Sequence, residues 1–108
     1  MNKYLKHYSI AVQNSNVSGF ELLDMLMARD KLFQDWASLS PQERAQVAAA
    51  DQQLLANAKA FMVELSMVTE LSHERQRRGP TPEQWWWYLD VLSNTPLQGV
   101  EKESPVPA

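Results

Sequence analysis

The sequence predicts an all-α protein, a small helical bundle arranged around one long central helix. Glycine and proline border the helix-like stretches, and neither occurs between residues 42 and 78. Within the stretches, apolar residues recur at three- and four-residue spacings, which is typical of one face of a helix. Three stretches also open with Ser or Thr followed three residues later by Glu or Gln, the spacing of a helix capping box.

The first of these signatures, Ser18 with Glu21, begins a helix predicted to span about 18–37 and to run antiparallel to the long helix. Its apolar stripe consists of Leu22, Met25, Leu26, Leu32, Phe33 and Trp36. Arg29 lies inside this stripe, so we expect it to reach solvent along its alkyl chain or to pair with an acid. The acidic residues of this helix are interpreted as solvated: Asp24, Asp30 and Asp35.

The long helix is predicted over about 41–78. Ser40, Pro41 and Glu43 form a strong start signal, and Gly79 followed by proline forms a strong stop signal. Its packing seam recurs with 4-3 spacing and consists of Val47, Leu54, Ala58, Phe61, Leu65 and Val68. Asp51 interrupts this seam, and a bend or break with Asp51 as an internal N-cap is the alternative.

The two ends of the chain are less regular. Residues 3–13 fit either a helix or a strand, and we favour a short helix because a lone strand has no partner. A short tryptophan-rich helix is predicted over about 82–93, opened by Thr81 and Pro82. We therefore expect one helical domain over 1–93 and a disordered, polar and proline-rich tail over 94–108.

These lengths predict an uncovered surface, because the flanking helices are too short to bury every apolar residue of the long one. The residues that widen its apolar face are Leu55, Met62, Val63, Met67 and Leu71. A second copy of the chain is the natural cover, so we expect a two-fold symmetric homodimer.

Three consecutive tryptophans cannot all face one small core, and a helical projection places Trp86 on the polar side of its helix. Exposed tryptophan and arginine are enriched in binding hot spots. The predicted partner-binding residues are therefore Trp86, Trp87, Arg75, Arg77 and Arg78. The competing interpretation of the tryptophans is that all three are buried between several helices. The competing interpretation of the arginines is that they complement the dipole at the end of the long helix.

The predicted function is that of a non-enzymatic interaction or adaptor protein, acting through protein–protein contacts. The chain has no cysteine and a net charge of −3, and no signal peptide or membrane span is expected, so we place it in the cytoplasm. We predict no catalytic residue, metal or cofactor. A nucleic-acid-associated regulator using the basic end of the long helix is one alternative. A metal-dependent helical-bundle enzyme is the other, because Glu70 and His73 have the spacing of di-iron ligands.

Overall fold

The computed structural model describes residues 2–93, and all regular structure in that range is helical, which confirms the predicted fold class. The α-helices are α1 (Lys3–Ala11), α2 (Gly19–Gln34), α3 (Pro41–Ala56), α4 (Ala58–Leu65), α5 (Leu71–Arg78) and α6 (Leu89–Leu92). Within the same residues, two short 3₁₀-helices span Trp36–Ser38 and Trp85–Tyr88. The predicted tail, 94–108, lies outside the described residues.

The ambiguous N-terminal segment is a helix. The side chain of Asn2 accepts hydrogen bonds from the backbone N–H groups of Tyr4 and Leu5, which caps the first turn of α1. The backbone N–H of Asn2 in turn donates to the Glu43 carboxylate at 3.2 Å, and this bond ties the start of α1 to the start of α3. Leu5 and Tyr8 then face the core.

Helix α2 begins where the sequence predicts, with the Ser18 hydroxyl accepting from the backbone N–H of Glu21. It runs antiparallel to the chain from residue 44 to residue 64. As residue numbers increase along α2 and the segment after it, the residues that they contact decrease in number. The three contacts are Gly19 with Glu64, Arg29 with Asp51, and Trp36 with Arg44. The antiparallel arrangement is therefore confirmed.

The prediction of one unbroken helix over 41–78 is wrong, because the structure divides this stretch into α3, α4 and α5. The start is correct: Ser40 and Glu43 form a full capping box. The first interruption lies at Asn57, not at Asp51, which is inside α3. The Asn57 amide donates to the carbonyl of Gln53, and such local bonding by asparagine competes with regular helix.

The second interruption covers residues 66–70. Val68 and Thr69 are β-branched and have lower helix propensity, and Thr69 donates its hydroxyl hydrogen bond to Glu74 at 2.6 Å. The chain therefore changes direction before α5, which packs against the 3₁₀-helix of the tryptophan segment. Gly79 ends α5 in the left-handed conformation, with φ of 60°. That glycine confirms the predicted stop signal.

The core lies between α1, α2, α3 and α4, with the tryptophan segment closing one side. Five of the six residues of the predicted seam are buried, and Val68 is half-buried. In the predicted stripe of α2, however, Phe33 and Trp36 are each 38% exposed: Phe33 lies in the last turn of α2 and Trp36 lies after its end. No helix within residues 2–93 combines the length and the apolar character needed to cross a bilayer.

Candidate partner-binding surface

Trp86 and Trp87 are completely buried, so the prediction that Trp86 faces solvent is wrong. Both indole N–H groups donate to the same carboxylate oxygen of Asp30, at 2.7 and 2.8 Å. The side chain of Gln84 donates to that oxygen as well, at 3.0 Å. Asp30 is therefore not a solvated acid. It anchors the C-terminal segment to α2.

The helix that contains the tryptophans also differs from the predicted one in its start and its type. The predicted start at Pro82 is wrong, because regular structure begins at Trp85 as a 3₁₀-helix and becomes α-helical only at Leu89. The projection that placed Trp86 on a polar face assumed α-helical periodicity from residue 82, whereas a 3₁₀-helix has three residues per turn. Trp85 is the half-buried member of the three.

Arg29, next to Asp30 on α2, is buried and paired with an acid, which confirms one of its two expected arrangements. Its guanidinium makes two hydrogen bonds to Asp51, at 2.9 and 3.0 Å, and the Tyr8 hydroxyl donates to the same carboxylate at 2.6 Å. Burial, with the Asp51 charge beside it, raises the pKa of Tyr8 far above its ordinary value, so the phenol remains a neutral donor.

One guanidinium nitrogen of Arg29, Nη1, is buried without a hydrogen bond inside the described range. The guanidinium lies over the ring of Trp86, 4.1 Å from its centroid, and within 6.0 Å of the rings of Tyr8 and Trp36. Cation–π attraction from these rings offsets part of the desolvation of the cation. Arg29 and Asp30 therefore join the two ends of the chain to α2.

The three arginines predicted to bind a partner are engaged within the chain. Arg75 pairs with Asp90 at 2.7 Å and also donates to the backbone carbonyl of Trp87. The Asp90 carboxylate raises the pKa of Arg75. Arg77 and Arg78 both bond to Glu74. Arg77 is the most exposed of the three, with 68% of its side chain accessible.

Glu74 is the acid that organises this basic helix. Its side chain is only 2% exposed and accepts from Thr69, Arg77 and Arg78. Burial alone would raise the pKa of Glu74, but these hydrogen bonds outweigh it, and the pKa is lowered. The basic end of α5 is therefore built largely around an internal carboxylate.

Replacing Glu74 with Gln is expected to lower the free energy of unfolding by about 2 kcal/mol at neutral pH, because hydrogen bonds to a charged group are lost. Since the folded pKa is below the ordinary value of 4.5, this stabilisation is present above that pH and is lost as the pH falls further. Urea denaturation across a pH series measures both effects. Glu70→Gln, at a side chain that is 70% exposed, is the control, and an equal effect from it would contradict the assignment.

Glu70 and His73 lie together at the surface. Their side chains are 3.6 Å apart and both are largely exposed. Over residues 2–93, no group of three or more His, Cys, Asp or Glu side chains is arranged to hold a metal ion. Glu70 and His73 thus have the Glu-x-x-His spacing of di-iron ligands. Residues 2–93 supply no third protein ligand beside them.

Three of the exposed large apolar side chains lie close in sequence to the point where α2 approaches α4. Val63 is 56% exposed, Met67 72% and Phe20 66%. Helix α2 approaches α4 so closely that a Cβ atom at Gly19 would lie 2.4 Å from the carbonyl oxygen of Glu64. Phe20 follows this contact directly, and Val63 and Met67 flank it on the other chain segment. The sequence predicts Val63 and Met67 as excess apolar residues, but it contains no such signal for Phe20.

Comparisons of the chain with models of protein families, with curated proteins and with solved structures found no match. Function is therefore inferred from the surface of the folded chain.

Proposed function

We propose that this chain is a non-enzymatic interaction or adaptor protein that acts through protein–protein contacts as a homodimer. The observation that carries the proposal is the exposure of Phe20, Val63 and Met67, close in sequence to the point where α2 approaches α4. Exposed apolar patches of this kind mark interaction surfaces in folded proteins.

This apolar surface differs from the partner-binding surface of tryptophans and arginines that the sequence predicts. Trp86 and Trp87 are completely buried in the folded chain, and Arg75 and Arg78 bond to residues of their own chain. Val63, in contrast, is exposed on α4 while Phe61 and Leu65 are buried, and Met67 is exposed in the turn that follows α4. Contacts through α4 leave the internal network of Arg29 and Asp30 intact.

Sedimentation equilibrium over a wide range of protein concentration tests the proposal. The wild-type chain is expected to reach twice its monomer mass, and the double variant Val63→Ser, Met67→Ser is expected to remain monomeric without loss of helicity, since both side chains are exposed. Ile10→Ser removes an equally exposed apolar side chain from α1 and is the control. A wild-type chain that stays monomeric at every concentration would overturn the homodimer.

A further inference from the structure

The outward side of α4 has the pattern of a two-helix seam. Ala60, Val63 and Met67 are exposed and follow one another at spacings of three and four residues, so they share one face. The face is opposite the buried Ala58, Phe61 and Leu65. The backbone N–H of Ser66 donates to the carbonyl of Met62, so α-helical hydrogen bonding continues to the residue before Met67. We name Ala60, Val63 and Met67 the outer seam.

Two opposite charges flank the outer seam. Lys59 directly precedes Ala60, and Glu64 directly follows Val63, so they lie on opposite sides of the seam. Neither side chain makes an ion pair or side-chain hydrogen bond within residues 2–93. In the heptad convention these are the g and e positions, which form ion pairs between helices and set their orientation.

The order of these charges selects one arrangement. In two parallel helices, a g residue on one meets the e residue five positions later on the other, and Glu64 lies five residues after Lys59. In an antiparallel pair, lysine would meet lysine and glutamate would meet glutamate. The charges on α4 therefore complement a second, parallel copy of the same helix.

From this complementarity we propose that the homodimer forms by parallel packing of α4 against α4 of a second copy, with Lys59 of each chain paired to Glu64 of the other. Ala60, Val63 and Met67 form the apolar centre of this interface. This inference rests on the proposed function, because it specifies the interface and orientation of the dimer proposed above.

Charge reversal tests the pairing. Lys59→Glu and Glu64→Lys, each alone, place like charges together in a parallel dimer, and each is expected to weaken self-association about tenfold or more. Mixing the two variants brings glutamates only against lysines, so a heterodimer as strong as the wild-type dimer is expected. Native mass spectrometry of the mixture, with one variant isotopically labelled, counts homodimers and heterodimers directly.

The control is Lys31→Glu, the same charge change at an exposed position on α2, which is expected to leave self-association unchanged. Circular dichroism and thermal unfolding establish that every variant folds. If both single variants dimerise as the wild type does, the parallel α4 interface is wrong, whereas the proposed function stands. If the wild type does not dimerise, this inference and the homodimer both fail.

Discussion

Replacing Asp30 with alanine is expected to lower the free energy of unfolding by about 3 kcal/mol, because buried donors lose their charged acceptor. The indole N–H groups of Trp86 and Trp87 both bond to this one carboxylate, and both rings are completely buried. With alanine at residue 30, both N–H groups lose this acceptor. Urea denaturation followed by circular dichroism gives the change.

The control for this substitution is Asp24→Ala. Asp24 lies on the same helix, is exposed, and makes no side-chain hydrogen bond within residues 2–93, so its replacement is expected to change stability by less than about 0.5 kcal/mol. Asp30→Asn keeps an oxygen acceptor without the charge, and we expect an intermediate cost. Equal effects of the two alanine variants would show that the indoles do not depend on Asp30.

Replacing Arg29 with Met is expected to cost about 3–5 kcal/mol, since it leaves the carboxylate of Asp51 without its cation in a largely buried position. The side chains of Arg29 and Asp51 are 8% and 16% exposed. The substitution also removes the cation from the ring of Trp86. Chemical denaturation of the purified variant measures the loss.

A double-mutant cycle separates this pairing from general damage to the core. Arg29→Met combined with Asp51→Leu removes both charges, and we expect the double variant to be more stable than Arg29→Met alone. A third variant combines Tyr8→Phe with these two substitutions, because Asp51→Leu removes the carboxylate that accepts the hydrogen bond of the Tyr8 hydroxyl. If the effects of the two single substitutions simply add, the ion pair is not the reason for the loss.

Local signals in the sequence were sufficient for the outline of the fold. Ser18 and Ser40 cap helices where the capping pattern places them, and Gly79 ends α5 in the conformation that favours glycine. These signals depend on atoms within one helical turn. The interruptions at Asn57 and over 66–70 were missed, because they contain neither glycine nor proline.

The positions of the tryptophans could not be derived in the same way. Trp86 and Trp87 bond to a residue more than fifty positions earlier in the chain, and a helical projection contains only local geometry. The excess apolar residues are easier to recognise from the sequence, because the summed length of the flanking helices can be compared with the length of the stretch 41–78 that they would have to cover. Of the residues named on that basis, Val63 and Met67 are the exposed ones.

The adjacency of Arg29 and Asp30 has a consequence for the order of folding. Arg29 joins α2 to segments 21 and 22 residues away, whereas Asp30 closes a loop of 54–57 residues with the tryptophan segment. The entropy lost on closing a loop increases with its length, so the shorter closures come at the lower entropic cost. The core of α1, α2 and α3 can therefore assemble around Arg29 first. We therefore expect the tryptophan segment to dock last, onto Asp30 of a helix that has already formed.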